Sequence, residues 1–300
     1  MKKLKIGYFA DGPWSHLAFE KIIVNYDIEI AFITPRYDTK DKRLKEYAAT
    51  YSIDYIMAKN VNAPEYLEKV THYNCDLFVS MSFNQIFRSE IINIPKYGTI
   101  NCHAGKLPFY RGRNILNWVL INDEKEFGIT VHFVDEGIDT GDIILQRTYP
   151  INDTDNYNTL LNVAYTECAS ILYDSILLFK KEEVPRIKQV TLHPIGMYCG
   201  IRTVGNEIIN WNQTSRSLFN FVRAICNPGP MAISYLEGEE VKINKVNLVP
   251  DAPIYIGTPG QILCKTREGN FFVKTSDSFI EILEYEGKLR VGKTLKANRK

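Results

Sequence analysis

The fold of this chain is decided by the stretch Leu4-Lys5-Ile6-Gly7-Tyr8-Phe9, the helical pattern Ser15–Tyr26 that follows it, and then Ile28-Glu29-Ile30-Ala31-Phe32-Ile33. The two apolar runs have the length and residue types of β-strands, and a helix-length segment separates them. The alternation continues with strands predicted at Asp54–Ala58 and Asp76–Ser80, and with helices predicted at Asp41–Tyr51 and Ala63–Tyr73. Strands joined by helices of this length form a parallel sheet with crossovers. We therefore predict an α/β fold with a Rossmann-like, mostly parallel sheet and flanking helices.

The rest of the chain divides into the end of this sheet and a second, smaller unit. Further elements are predicted as a strand ending at His103, a helix near Asn114–Ile121, strands at Gly128–Val134 and Ile143–Arg147, and a long helix at Tyr157–Phe179. A later helix, capped by Asn212 or Thr214, precedes five short strands, which favour a small OB-like β-barrel. We predict a catalytic domain at 1–187, a linker at 188–205 and a C-terminal domain at 206–300.

Composition excludes some classes of protein. The 300 residues carry a formal net charge of +1, which gives no general attraction to nucleic acid or to a membrane surface. Apolar runs of about 18 residues, which a membrane helix needs, are lacking, and Met1–Ile6 is a charged lead into a strand. The six cysteines and five histidines are scattered without metal-ligand spacing. We expect a cytoplasmic protein with reduced cysteines and no metal.

Three polar residues form a candidate acyl-transfer site. Asn101 and His103 lie two apart on a predicted strand and therefore share a face, while Cys102 points the other way. Asp139 follows another strand, in the loop Asp135–Asp142. An imidazole can move a proton, an amide can donate to an oxyanion, and a carboxylate can orient the imidazole. Each residue also has a purely structural alternative, as a turn cap, a satisfied strand-end histidine or a turn former.

Two long motifs resemble the signatures of the formyltransferases that use 10-formyltetrahydrofolate. Ile100-Asn101-Cys102-His103-Ala104-Gly105-Lys106-Leu107-Pro108-Phe109-Tyr110-Arg111-Gly112 resembles the first signature. The run from Gly128 to Asp142 resembles the second, and Gly200-Ile201-Arg202-Thr203 with the following residues resembles the C-terminal domain of methionyl-tRNA formyltransferase and its sugar-modifying relatives. The resemblance implies that Asn101, His103 and Asp139 are catalytic.

The same resemblance implies a folate site. Ser82-Phe83-Asn84-Gln85-Ile86-Phe87 is similar to the segment that borders the pterin pocket, and the loop Val134–Asp139 would close over the ring. From the residues alone, Ile86 and Phe87 are better explained as core. The cofactor-binding residues implied are Phe83, Gln85, Ile86, Phe87, Val134 and Glu136.

Departures from the tRNA-modifying pattern concern the acceptor. Gly105-Lys106-Leu107-Pro108 and Arg111-Gly112-Arg113-Asn114 stand where those enzymes usually show Ser-Leu-Leu-Pro and Arg-Gly-Ala-Ala-Pro. The second motif, with Asn117 and Trp118, resembles enzymes that formylate nucleotide-linked amino sugars. The loop Thr34–Arg43 is also short for a tRNA enzyme. The predicted substrate-binding residues are Gly12, Trp14 and Ser15 at a helix N-terminus that could attract phosphate, and Arg111, Arg113 and Asn114.

The leading hypothesis is therefore N-formyl transfer from 10-formyltetrahydrofolate to a dTDP- or UDP-linked amino-dideoxy sugar, for a surface glycan. Methionyl-tRNA formylation is the alternative enzyme activity, and a non-catalytic folate or nucleotide sensor is the alternative of another class. The partner expected is the nucleotide-linked amino sugar, with no nucleic acid and no membrane, and a homodimer is an assembly that the sequence allows.

Overall fold

The computed structural model of the protein describes residues 3–299, so the first two residues of the predicted N-terminal lead lie outside it. The chain forms two compact units. The first contains residues 1–112, 127–149 and 162–199, and the second contains residues 113–126, 150–161 and 200–300. None of the helices within residues 3–299 is long and apolar enough to span a membrane.

The first unit is built on a seven-stranded sheet with the order β3-β2-β1-β4-β5-β7-β8. Its strands are β1 (Leu4–Ala10), β2 (Ile28–Thr34), β3 (Asp54–Tyr55), β4 (Leu77–Met81), β5 (Thr99–His103), β7 (Glu126–Phe133) and β8 (Ile143–Pro150). Its helices are α1 (Pro13–Ile23), α2 (Arg43–Tyr51), α3 (Pro64–Thr71), α4 (Ser89–Ile92) and α7 (Gln189–Leu192), while α6 (Tyr157–Lys181) runs through both units. A separate parallel pair joins β6 (Arg111–Gly112) to β9 (Tyr198–Cys199).

Central strands of this sheet are apolar on both faces. Tyr8 and Phe9 of β1 are fully buried, and the Phe9 ring makes edge contacts with Phe32, Phe78 and Phe87. Near-continuous apolar runs of this kind are typical of parallel strands covered by helices on both sides. The strands β3, β2, β1, β4 and β5 pair with one another in parallel, whereas β7 runs antiparallel to β5 and places His132 opposite Asn101. The predicted α/β fold is confirmed.

The second unit is a five-stranded antiparallel sheet with the order β10-β11-β14-β13-β12. Its elements are α5 (Ile115–Ile121), α8 (Ser215–Ile225), β10 (Ala232–Leu236), β11 (Glu239–Leu248), β12 (Ile262–Lys265), β13 (Phe271–Lys274) and β14 (Phe279–Glu286). Thr214 caps α8 by accepting a hydrogen bond from the Ser217 amide. The edge strand β10 bridges to Lys296, and Gln261, next to the other edge strand, bridges to Thr294. One C-terminal segment thus meets both edges, as a small barrel requires.

Three expectations differ from the structure in detail. The strand predicted at Asp54–Ala58 is limited to Asp54–Tyr55, an edge position with a single neighbour. Ile86, interpreted as core from the residues alone, is 66% exposed, whereas Phe87 is buried. The segment 188–205, predicted as a linker, contributes α7 and β9 to the first unit up to Cys199 and joins the second unit from Gly200.

Candidate active site

Asn101 and His103 share one face of β5, as their spacing on a strand predicts. The Asn101 amide nitrogen lies 3.4 Å from His132 Nε2, and His103 Nδ1 lies 3.6 Å from Asp139 Oδ2. Cys102 points to the opposite face, where its thiol lies 3.6 Å from the Cys168 carbonyl oxygen of α6. The strand therefore separates a polar face from a packed apolar one.

Asp139 reaches the two strand residues because the loop after β7 makes a sharp turn. The Asp139 backbone has a φ of 54°, in the left-handed region that disfavours most L-residues. Gly141 permits the turn: a Cβ there would lie 1.9 Å from the Phe133 carbonyl oxygen. The Gly112 amide donates to Asp139 Oδ2 at 2.8 Å, so the carboxylate is held by the last residue of the first motif.

The His103 ring has a fixed orientation. Its Nε2 lies 2.7 Å from the Tyr110 carbonyl oxygen, which can only accept, so Nε2 carries a proton. Gly105 lies against the ring, and a Cβ at that position would be 2.4 Å from Nε2. The other ring nitrogen, Nδ1, is consequently the one that faces Asp139. Side-chain burial is about nine-tenths for both His103 and Asp139.

His132 is a fourth member of this polar group. Its Nδ1 donates to the Phe133 carbonyl oxygen at 2.7 Å, and its Nε2 lies 3.4 Å from Asp139 Oδ1. His132 lies on β7 and is buried. Its contacts with Asn101 and Asp139 were missed because they depend on the antiparallel register of β5 and β7, which places His132 opposite Asn101.

The charge on Asp139 is strongly favoured. Burial raises the pKa of this carboxyl, but the charge interaction with His103, the contacts with His132 and the Gly112 amide outweigh it and hold the pKa well below its usual range. A permanent carboxylate beside an imidazole stabilises the protonated imidazole. The group thus combines an amide donor with a histidine able to take up a proton, which suits acyl transfer.

The segment that resembles a pterin-pocket border contains apolar side chains and a polar side chain that is already hydrogen-bonded within the fold. Phe83 and Val134 pack on the cluster that contains Phe9 and Phe87, which places the two predicted folate-contacting segments together. The Gln85 side chain is used within the fold, donating to the Ala58 carbonyl oxygen and accepting from the Val61 amide. Apolar surfaces with backbone donors and acceptors nearby suit a flat heteroaromatic ring. Glu136, in the predicted closing loop, is exposed.

The polar groups around the start of α1 already have partners within the protein. Ser15 is buried and its hydroxyl donates to the Gly12 carbonyl oxygen, while Trp14 packs edge-on against Tyr165 of α6. Asp41 accepts hydrogen bonds from the Gly12 amide and contacts His16 Nε2 at 2.5 Å. A carboxylate therefore already lies at the N-terminus of α1, where a phosphate was expected.

The arginines and the asparagine predicted to bind substrate belong to different units. In the first unit, the Arg111 guanidinium donates to Gln189 and lies close to Gly196, where a Cβ would be 2.3 Å from Nη1. In the second unit, Arg113 is exposed and the Asn114 side-chain oxygen accepts from the Arg202 amide. Gln189 itself was not predicted, since it lies in the segment interpreted as a linker.

Comparison with known proteins agrees with this geometry. The formyl transferase family model matches residues 24–176, and the model of the formyl transferase C-terminal domain matches residues 203–298. A methionyl-tRNA formyltransferase from Syntrophomonas wolfei is 30% identical over 92% of this chain and 90% of its own length. The methionyl-tRNA formyltransferase from Clostridium acetobutylicum is 31% identical over 98% of this chain and 97% of its own length.

Solved structures share the fold. The crystal structure of WlaRD, a sugar 3-N-formyltransferase crystallised with dTDP and 5-N-formyltetrahydrofolate, has a TM-score of 0.71 at 23% identity and covers 96% of this chain and 100% of its own. An N-formyltransferase from Helicobacter canadensis, in complex with folinic acid and dTDP-3-aminofucose, has a TM-score of 0.68 at 24% identity and covers 95% of this chain and 100% of its own. The resemblance found in the two motifs is confirmed, and the chain belongs to the formyl transferase family.

Proposed function

We propose that the protein is an N-formyltransferase that moves a formyl group from 10-formyltetrahydrofolate to the amine of a nucleotide-linked amino-dideoxy sugar. The sugar, carried by dTDP or UDP, would be destined for a surface glycan. The observation that carries the reaction type is the arrangement of Asn101, His103 and Asp139 around one face of β5. Family membership supports the same chemistry.

The geometry supports one division of roles. The acceptor amine attacks the formyl carbon, and the amide of Asn101 donates to the oxygen that becomes negative. The amine loses a proton, and Nδ1 of His103 accepts it. Nε2 is not free to do so, because it already carries a proton that it donates to the Tyr110 carbonyl oxygen. The carboxylate of Asp139 stabilises the imidazolium that forms. Cleavage of the bond from the formyl carbon to N10 releases tetrahydrofolate as N10 takes up a proton.

Four observations favour a nucleotide sugar as the acceptor. The connection from β2 to α2 is confined to residues 35–42, and the net charge of +1 offers no broad attraction for a polyanion. The motif Arg111-Gly112-Arg113-Asn114 departs from the tRNA-modifying pattern. Two solved structures with the same fold hold a folate together with dTDP or a dTDP-linked amino sugar.

Methionyl-tRNA formylation is the second candidate, and a specific observation favours it. Curated relatives with about 30% identity across nine-tenths of the chain carry that name. The two activities share the donor and the catalytic group, so only the acceptor distinguishes them.

A direct assay separates the candidates. The protein is incubated with 10-formyltetrahydrofolate and a panel of dTDP- and UDP-linked 3-amino and 4-amino sugars, or with methionyl initiator tRNA, and product mass is followed. We expect a gain of one formyl group on a nucleotide sugar, lost in His103→Ala. Formylation of the tRNA with no sugar turnover would contradict the proposed acceptor. Ligand binding without turnover of either class would favour a sensor.

A further inference from the structure

The side chain of Gln189 joins two parts of the active site. Gln189 begins α7 and is 4% exposed. Its amide nitrogen donates to the backbone carbonyl oxygens of Asp139 and Gly141, both at 2.8 Å. Its amide oxygen accepts from Arg111 Nε at 3.1 Å and from Arg111 Nη2 at 2.6 Å. All the principal hydrogen-bonding groups of a primary amide are thus used.

The orientation of this amide follows from its partners. A guanidinium only donates, so Arg111 requires the amide oxygen on its side and directs the two N–H groups towards the Asp139 turn. The guanidinium is in turn held against Gly196. An inverted amide would set N–H groups against N–H groups and an oxygen against two carbonyl oxygens, which costs hydrogen bonds at a buried site.

The turn at Asp139, to which Gln189 donates, is stabilised by contacts from outside its own segment. Asp139 has a left-handed backbone with a φ of 54°, a conformation that most L-residues avoid. Residues 135–138, which precede it, are exposed. Within the described residues, the backbone carbonyls of Asp139 and Gly141 are fixed by the same amide, while the Gly112 amide fixes the Asp139 carboxylate.

We infer that Gln189 is a positioning residue for formyl transfer, whose two N–H donors hold the Asp139 turn so that the carboxylate faces His103. This inference rests on the proposed function for its catalytic consequence, but its structural part stands independently. Displacement of a catalytic group by about 1 Å can reduce a rate by about 10²-fold. Loss of the donors should therefore reduce kcat rather than substrate binding.

Two substitutions separate the two halves of the amide. Gln189→Met has similar length and makes none of the four hydrogen bonds. Gln189→Glu keeps an acceptor for Arg111 but faces the two carbonyl oxygens without donors. We expect both variants to lower kcat by about 10²-fold, with each KM changed by less than about threefold. The control is Val190→Ala, which alters a 64% exposed neighbour on the same helix and should leave kcat unchanged.

A second measurement does not depend on turnover. The Gly112 amide donates to the Asp139 carboxylate, so its hydrogen exchange reports the position of that side chain. We expect exchange at Gly112 to become at least about tenfold faster in Gln189→Glu, with exchange at Val79 in β4 unchanged. If the wild-type protein turns over no acceptor, the proposed function fails and the exchange result alone decides the role of Gln189. Wild-type kcat in Gln189→Glu, or unchanged exchange at Gly112, would overturn the inference.

Discussion

Asp139 lies close to two histidine rings, and its charge state is governed by these neighbours rather than by its burial. The His103 and His132 rings approach its two carboxylate oxygens at 3.6 and 3.4 Å. Burial alone would favour the neutral acid, yet its pKa is lowered because the histidines and the Gly112 amide favour the anion. The folded protein thus stabilises a negative charge beside His103.

Replacing Asp139 by asparagine should remove this charge while keeping the shape. We expect Asp139→Asn to lower formyl transfer by about 10³-fold or more, because the imidazolium loses its counter-charge. Since the folded pKa is depressed, the carboxylate stabilises the fold above about pH 4, and this contribution is lost as pH falls further. Denaturant unfolding of the wild type and of Asp139→Asn between pH 3 and 7 should show free energies of unfolding that differ by about 1–3 kcal/mol. This difference should shrink below about pH 4.

The matched control for Asp139→Asn is Asp174→Asn, which removes an exposed carboxylate paired with Arg147 at 2.7 Å. Exposed pairs contribute little, so activity and the pH dependence of stability should remain those of the wild type. An equal loss of activity in the two variants, or a stability difference for Asp139→Asn that persists unchanged at pH 3, would contradict the role given to the carboxylate.

Individual site residues differ in how far the sequence could predict them. Asn101 and His103 were predictable because a two-residue period fixes side chains to one face of a strand. Asp139 was predictable as a loop residue, but its approach to His103 required the folded turn. His132 and Gln189 were not, since a cross-strand register and a long-range contact with α7 bring them in. Local pattern carries no information on either.

The connection between β2 and α2 is fastened to the start of α1. Asp41 contacts His16 Nε2 at 2.5 Å and accepts from the Gly12 and Arg43 amides. Burial raises the pKa of Asp41, but these partners outweigh it and the pKa is lowered overall. One carboxylate therefore joins the residue before α1 to the first residue of α2 by accepting from a backbone amide of each.

Removing the Asp41 carboxylate should lower the stability of the fold and leave formyl transfer unchanged. We expect Asp41→Ala to lower the free energy of unfolding by about 1–2 kcal/mol at pH 7, as for other lost N-terminal caps. Because the pKa of Asp41 is lowered in the folded state, the loss should fade as pH falls below about 4. Thermal and denaturant unfolding measure it, with Asp38→Ala, a 61% exposed carboxylate on the same connection, as control. A loss equal at pH 3 and pH 7 would contradict the charge-based explanation.

Helices and strands were predictable where the chain is strongly patterned. The long helix predicted at Tyr157–Phe179 spans Tyr157–Lys181, and five strands follow α8, as predicted. The short parallel pair of β6 and β9 was not predictable, because each strand has two residues and their partners lie far apart in sequence. Such pairs are stabilised by surrounding structure and leave no local periodicity.

Across the whole chain, the second unit is not a contiguous segment. It takes residues 113–126 and 150–161 as well as residues from 200 onwards. Arg216 of α8 is bound to Asp123 and, at 2.7 Å, to Asp153, while the buried Arg223 donates to the Asn152 carbonyl oxygen. The Asn117 side chain of α5 donates to the Ala224 carbonyl oxygen. Helix α8 thus packs on segments that precede it by many residues.

The predicted domain boundary at 206 can therefore be tested by dissection. We expect the isolated fragment 206–300 to be unfolded or molten, because it leaves Arg223, which is 6% exposed in the full chain, without its carbonyl and carboxylate partners. Circular dichroism and the dispersion of amide resonances measure this. The control is the full chain cut once beside Val204, which is 98% exposed; its two pieces should stay associated and keep a cooperative thermal transition. A fragment that folds cooperatively by itself would show that the earlier segments are dispensable, and that the boundary predicted from sequence is a true domain limit.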